Sequence, residues 1–377
     1  MAFRFIHTAD WQVGKPFGNV AGDSGAELRT QRIRTVQRIA ELAAERQVDA
    51  VLVAGDAFDS NEVSERTILR TVEALKPFGG TWVFLPGNHD AALAHSVWTR
   101  ARNMGLPPNI VIADRPEPLT LCDGRATILP APLRRRREVT DQTDWFDAAT
   151  SPDGSCRIGL AHGSVANRLP GKGDAANEIR DDRAERARLC YLALGDWHGA
   201  LRIAPRTWYA GAPEPDRHKA NQSGHVHVVD IDAPGAPERI ATMAVGHYAW
   251  VQLEIELLGR CDKALEALEG IAQDHRTCVV SLHLKGSLSL AERHRLEAEL
   301  ARWEARVHHL EVDMAALLDD PTPDDLDALD TSGFVRLAVE RLKARAQDLA
   351  DPECESARTA LRMVYLDHLR IAGWQGS

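Results

Sequence analysis

Cysteine is sparse and scattered: the six residues Cys122, Cys156, Cys190, Cys261, Cys278 and Cys354 contain no C-x-x-C pair. That spacing excludes a zinc finger or a dithiol redox motif, and all six read as reduced, structural thiols. No apolar run approaches the ~18–20 residues that a membrane span needs, so no membrane association is expected. The start, MAFRFIHTADWQ, lacks the basic opening and small-residue cleavage site of a secretory signal, and the expected compartment is the cytoplasm. Positive charge is in deficit as well. A formal charge of -10 means that the surface as a whole does not draw in polyanions, so any nucleic-acid contact must come from local basic patches and bound metals. Internal repeats and low-complexity tracts are absent too, which excludes a solenoid.

What is present is a chain of 377 residues with 44% hydrophobic content, enough for two domains and a small third. The first 90 residues follow one grammar. A strand at 3–8 is followed by a helix carrying Ile33, Val36, Ala40 and Ala43 on one face, a strand at 49–54, a helix at 65–75 and a strand at 81–85. Strands alternating with helices imply an α/β sheet, whose ligands gather beyond the carboxyl ends of the strands. Further strands are expected at 126–129, 157–161, 191–194 and 226–231, and the catalytic domain is placed at residues 1–255. From 262 the pattern becomes helix, strand, helix, strand, with Leu296, Leu300, Trp303 and Val307 on one stripe. This reads as a small α/β domain at 256–316. The acidic stretch LLDDPTPDDLDALD (317–330) reads as a linker within a 317–377 segment. That segment ends in two amphipathic helices, one with Val335, Val339 and Leu342 and one with Leu361, Val364 and Leu369. They fit either a hairpin packed on the body or a docking arm.

Five strand-end loops carry the chemistry: Asp10-Trp11-Gln12, Gly55-Asp56-Ala57-Phe58-Asp59, Gly87-Asn88-His89-Asp90, Ala161-His162-Gly163 and Gly195-Asp196-Trp197-His198. One Asp or His at a strand end means little, but five such loops in one chain would leave carboxylates and imidazoles repelling or unsatisfied without a cation. Two divalent metals ~3.5–4 Å apart need a bridging carboxylate and can neutralise phosphate oxygens during in-line attack. Asp56 is the natural bridge, Asn88 a neutral oxygen ligand, and His162 and His198 nitrogen ligands. His89 can protonate the leaving oxygen, and Asp90 can orient that imidazole.

This series resembles the calcineurin-like metallophosphoesterases. Together with ILPAPL, YLALG and YAGAPEP, and with the region after 262, it is most similar to the SbcD DNA repair exonuclease subunits, over roughly residues 1–315. The resemblance implies a four-layer α/β/β/α sandwich with an αβαβ capping domain. It also implies manganese-dependent cleavage of DNA phosphodiesters by a homodimer, together with an SbcC-like SMC-type ATPase. Carried over by position, Asp10, Gln12, Asp56 and His198 surround one metal, and Asp56, Asn88, His162 and Asp196 the other. Two residues depart from the family pattern, which has His at the positions of Gln12 and Asp196. Both replacements can ligate, yet they make the shell richer in oxygen, which favours Mn²⁺ among Mn, Fe, Mg and Zn.

Gly224-His225-Val226-His227 matches the family's Gly-His-x-His string better than Gly195–His198 does, but it opens a strand instead of following one, so His198 is expected to be the ligand. Arg134, Arg135, Arg136 and Arg137 follow ILPAPL directly and fit either a DNA phosphate contact or a solvated loop. Asp59 is expected to orient a neighbour and position substrate. Trp11 and Trp197 fit stacking on a base or packing around the site, and Arg206, Asp216 and Arg217 a structural ion-pair loop. Two other readings share these motifs: a phosphatase or phosphodiesterase acting on a small nucleotide or phosphoprotein, and a catalytically weak DNA-end-binding scaffold.

Overall fold

The computed structural model describes residues 2–20, 22–166, 168, 177–219, 221–327, 329 and 333–371. The chain forms two compact units, one of residues 1–216 and 220–247, the other of residues 217–219 and 248–377. In the first, β1 (Phe3–Thr8), α1 (Gly22–Glu45), β2 (Ala50–Val53), α2 (Glu65–Ala74), β3 (Thr81–Phe84), α3 (Val97–Asn103) and β4 (Ile110–Ile112) alternate as the apolar periodicity predicts. Serines start two of the helices: Ser64 Oγ accepts from Thr67 N and Ser96 Oγ from Thr99 N, each satisfying an otherwise orphaned amide.

There follow β5 (Leu119–Leu121), β6 (Ala126–Ala131), β7 (Cys156–His162), β8 (Ser164–Val165), β9 (Glu178–Ile179), α4 (Arg183–Arg186), β10 (Tyr191–Gly195), β11 (Leu201–Ala204), β12 (Thr207–Tyr209), β13 (His225–Ile231) and β14 (Arg239–Ala244). One mixed sheet has the order β14-β13-β1-β2-β3-β4, and a second the order β11-β12-β10-β7-β6-β5. β1 to β4 are parallel to one another, as are β6, β7, β10 and β12.

The two sheets share a core because their strands alternate. Phe3 and Phe5 of β1, Leu52 of β2 and Val83 of β3 meet Ile128, Ile158, Leu160 and Tyr191 of the second sheet, all fully buried. The opposite face of the first sheet, with Ile6, Val51, Val53 and Trp82, packs on Val36 and Ile39 of α1 and Ile68 of α2. A polar link crosses the shared core beside β1 and β10. The Tyr191 hydroxyl donates to His7 Nδ1 at 3.0 Å, while His7 Nε2–H donates to Leu194 O at 3.1 Å, which satisfies an imidazole whose pKa burial holds well below the ordinary value.

The second unit is a parallel three-stranded sheet, β15 (Ala249–Gly259), β16 (Cys278–Leu288) and β17 (His309–Asp319), connected by α5 (Asp262–Glu269) and α6 (Leu290–Glu304). Val280, Leu282 and Leu284 bury against Leu268, Leu296, Leu300 and Trp303. The unit therefore opens with a strand, where the sequence reading begins it with a helix and leaves part of 249–259 in the first domain. The acidic stretch is also shorter than expected. Leu317 is buried in β17, and Asp320 accepts two guanidinium hydrogen bonds from Arg362 at 2.9 Å, while residues 328 and 330 lie outside the described residues. After α7 (Pro323–Asp327), helices α8 (Gly333–Gln347) and α9 (Cys354–Ile371) pack through Val339, Ala346, Ala357 and Leu361; the Leu369 side chain lies outside the described ones. No helix among the described residues is long and apolar enough to cross a membrane.

Ile158 sits at the centre of the core between the sheets with no solvent exposure. Ile158→Ala is expected to cost about 2–5 kcal/mol, read as a lower urea midpoint at unchanged m-value; a loss below about 0.5 kcal/mol would contradict this core assignment.

Candidate metal centre

All five loops leave the carboxyl ends of β1, β2, β3, β7 and β10, so the two sheets deliver their polar ends to one place. Asp10, Asp56 and His162 are buried and bring one potential ligand atom each to within 4.8 Å of one another. The contacts that hold them are local. Asp10 N donates to Gly55 O at 3.1 Å and Gln12 N to Asp56 O at 2.9 Å, which zips the first loop to the second. His89 N donates to Asp56 Oδ1 at 2.9 Å, and Asp196 N reaches the Asp10 carboxylate at 3.2 Å.

Two glycines are required by close approach. A Cβ on Gly55, whose φ is +91°, would lie 2.2 Å from His162 Nδ1, and a Cβ on Gly87 would lie 2.2 Å from Asp56 Oδ1. The backbone itself is strained here: Asp10 (φ 54°), Gln12 (φ 43°), Asp56 (φ 54°) and Asp196 (φ 96°) all have positive φ. Such conformations cost of order 1–3 kcal/mol each and persist where the surroundings over-determine them.

His162 sets the polarity of the cluster. Its Nδ1–H donates to Ala54 O at 2.8 Å, so Nε2 faces inward, 3.4 Å from Asp56 Oδ2 and 2.8 Å from Asn88 Oδ1. The Asn88 amide has two possible orientations. With nitrogen inward it donates to Asp56 Oδ2 at 3.0 Å and to His162 Nε2 at 2.8 Å. With oxygen inward, lone pairs from Asn88, Asp56 and His162 converge, and only a proton or a metal cation makes that favourable.

Without a metal the titration of the cluster shows the same demand. Burial lifts the Asp10 carboxyl, His198 and His162 pull it back, and Asp56 and Asp196 push it up, for a net rise. Burial also acts to raise Asp56, but the His162 imidazole outweighs it and holds the carboxyl below its ordinary value. Burial would lower His162, yet Asp56, Asp10 and Asp196 together raise it to about 10. Positive charge is therefore called for among these acceptors, and a divalent cation answers that need while freeing Nε2 to ligate. The donor set, carboxylates with one amide oxygen and imidazole nitrogen, suits a divalent cation.

The structure brings the other predicted residues together unevenly. His198 lies with Gln12, their Nε2 atoms 3.4 Å apart, and its Nδ1 is 3.7 Å from Asp216 Oδ1. Asp196 turns its carboxylate to Ser164, whose hydroxyl donates at 2.8 Å. His89 Nδ1–H donates to the backbone oxygen of Asp59 at 2.8 Å, which makes Asp59 the residue that orients this ring. Asp90 does not do so. Its two oxygens are taken by Gly87 N at 2.7 Å and Phe58 N at 3.1 Å, so it clasps two ligand loops together. Burial and the nearby Asp56 charge push its carboxyl up to about 7.

Trp11 is 1% exposed and packs edge-on against Trp82 and Phe84, so it is a core residue. Trp197 packs on the outer core of the second sheet. His225 and His227 belong to β13, where His227 Nε2–H donates to Tyr209 O at 3.2 Å and its Nδ1 accepts from Thr242 Oγ1 at 3.0 Å. Arg206 bonds Leu189 O and Gly235 O, a structural role, and Arg217 falls in the second unit.

Sequence reasoning missed three contributors. Lys15 and Arg32 both pair with the buried Asp216 behind His198, and Asn177 fastens the loop after β6 to Ser164 of β8. Lys15, three residues after Gln12 in the same loop, carried the only local signal.

The sequence pattern of the calcineurin-like phosphoesterase family matches residues 3–229, which span all five loops. The chain belongs to that family. This phosphoesterase is 30% identical over 268 residues to the SbcD subunit of the SbcCD nuclease from Escherichia coli strain K12, a match covering 60% of this chain and 64% of the relative. The same protein of Escherichia coli O157:H7 gives the same figures. That of Bacillus subtilis strain 168 is 30% identical over 91 residues, 23% of this chain and 22% of the relative. The chain thus matches somewhat less than two thirds of the length of the Escherichia coli relatives.

Adding Mn²⁺ to the metal-stripped phosphoesterase should raise its melting temperature, by the equivalent of about 2.7 kcal/mol at a hundredfold excess over Kd. Gly55→Ala, which drives a methyl group into His162, and Asp56→Asn should abolish the rise, whereas His225→Ala should retain it. A melting temperature indifferent to Mn²⁺ in the unaltered protein, followed by calorimetry, would rule out the cation site.

Proposed function

We propose that this phosphoesterase is a metal-dependent nuclease subunit that hydrolyses DNA phosphodiester bonds, built on the four-layer sandwich and working with an SMC-type ATPase partner as a homodimer. The observation that carries the substrate class is the arginine run. Arg134 to Arg137 are all exposed, and among the described residues none of them makes an ion pair, although the protein pairs most of its other arginines with acids. Four such guanidiniums on a chain of charge -10 form a local anion-binding patch that composition conceals.

The patch is also anchored to the site. Asn177 Nδ2 donates to Arg136 O at 3.2 Å, Asn177 Oδ1 accepts from Glu138 N at 2.6 Å, and Asn177 O accepts from Ser164 N at 3.1 Å, two residues beyond His162. A phosphate backbone held by the arginines would therefore lie in fixed register with the ligand loops.

Asp10, Gln12, Asp56 and His198 would hold one divalent cation, and Asp56, Asn88, His162 and Asp196 the other. Such a pair supplies charge neutralisation of the phosphate and a water of lowered pKa. His89 is half-buried and so open to substrate. Because Nδ1 keeps its proton on Asp59 O, Nε2 is the position that takes up a proton and can deliver it to the leaving oxygen. In the second unit the sheet rows Gln252-Ser281-Glu311 and Glu254-His283-Asp313 make one face acidic, so DNA contact from that unit belongs to another face.

Linear duplex DNA, a cyclic nucleotide and an aryl phosphodiester incubated with Mn²⁺ separate the readings. Cleavage of the duplex is expected, with kcat lowered about 10²–10⁴-fold in His89→Ala. Replacing Arg134–Arg137 by serine should weaken duplex binding and flatten its salt dependence by roughly 0.9 for each phosphate no longer neutralised, leaving aryl ester hydrolysis intact. Hydrolysis confined to the cyclic nucleotide would favour a small-molecule phosphodiesterase, and DNA-end binding with no hydrolysis of any substrate a scaffold.

A further inference from the structure

The ligand set is lopsided. Asp10, Asp56 and His162 form the compact group, with Asn88 Oδ1 2.8 Å from His162 Nε2, and His198 stands outside it beside Gln12. What separates the two sides is the chemistry of residue 12. Gln12 turns its amide nitrogen to His198 Nε2 at 3.4 Å. An amide nitrogen carries protons and no usable lone pair, so the contact is a hydrogen bond from Gln12 into the lone pair of His198 Nε2. That lone pair is the one a cation would need.

The other side of the ring supports this assignment. Nδ1 faces the Asp216 carboxylate at 3.7 Å, beyond hydrogen-bond distance, and the negative charge on that side favours the proton on Nδ1 and leaves Nε2 as the acceptor. Asp216 is fixed in turn by ion pairs to Lys15 and to Arg32, whose Nη1 also donates to Trp11 O at 2.5 Å. Gln12 has little room to rearrange, being 3% exposed with a φ of 43° and its backbone N–H tied to Asp56 O. To ligate through oxygen, its amide must give up His198 and turn over.

We propose that the two cation positions are unequal, a reading that rests on the two-cation function above. The inner position at Asp56, Asn88, His162 and Asp196 fills first and tightly. The outer position at Asp10, Gln12, Asp56 and His198 is closed by the Gln12–His198 hydrogen bond and fills only when metal is abundant enough to break it. The net worth of one hydrogen bond corresponds to about a tenfold difference in affinity. Gln12 thereby makes the doubly loaded state depend on metal concentration over a range in which the inner position is already full.

Mn²⁺ titration of the metal-free full-length chain tests this directly, with free Mn²⁺ followed by its electron paramagnetic resonance signal and the spin-coupled pair by its own. The unaltered protein should take one Mn²⁺ tightly and a second about tenfold or more weakly. Gln12→His should tighten the second to within roughly threefold of the first without changing the first. A second site missing from the unaltered protein but present in Gln12→His reads the same way. Two equal affinities in the unaltered protein, or a weaker site unmoved by Gln12→His, overturns the proposal while sparing the two-cation function. Failure of both proteins to bind a second Mn²⁺ overturns the two-cation function itself.

Discussion

One hydrogen bond fixes the geometry on which the site depends: His162 Nδ1–H to Ala54 O at 2.8 Å. Ala54 directly follows a strand of the first sheet and His162 ends a strand of the second, so the bond ties the two polar edges together at the same depth. It also chooses the tautomer, because a carbonyl can only accept, and that choice aims the remaining lone pair at Asp56. The neighbouring glycines follow from it. The His162 side chain against the backbone at residue 55 leaves no space for a Cβ there, and the turn needs a positive φ that glycine adopts without cost.

From that point the electrostatics are determined. Two buried carboxylates, an amide oxygen and an imidazole lone pair cannot share a pocket without a positive charge, and the raised pKa of His162 shows a proton filling in for one. Asp59 orients a neighbour, as its place in the loop suggests, whereas Asp90 acts on the frame and not on the His89 ring. Asp90 holds two loops by their amides, and Asp59 holds the His89 ring by its carbonyl.

Much of this was legible in the sequence. The alternating strands and helices up to residue 85 carry clean periodicity, and their ends coincide with the ligand residues, so the first sheet and the loop contents could be read together. The strand Ala249–Gly259 alternates acids with apolar residues as a strand should, yet it escaped because the sequence reading draws the domain boundary inside it, whereas the strand lies wholly in the second unit, just past the junction. Contacts made by backbone atoms, such as Asp59 O on His89 or Asn177 on the arginine loop, leave no trace in residue type. Nor does the pairing of Asp216 with Lys15 and Arg32, which joins positions some two hundred residues apart that only folding brings together. The family's Gly-His-x-His pattern points in two directions, and the two candidates lie at opposite ends of their strands. His225 begins β13 while His198 follows β10.

The left-handed backbone at Asp10, Gln12, Asp56 and Asp196 bears on how this site can change by mutation. Among non-glycine residues, aspartate and asparagine tolerate that conformation best, and they are also the short oxygen donors a cation accepts. At the three aspartates, backbone and a bound cation would therefore restrict the choice to nearly the same pair of residues, and a drifting sequence would have few neutral neighbours to explore. Residue 12 is the exception. There the backbone asks for a short side chain and the chain carries a long one, which makes it the position in the shell where substitution has the widest room to retune the site without dismantling it.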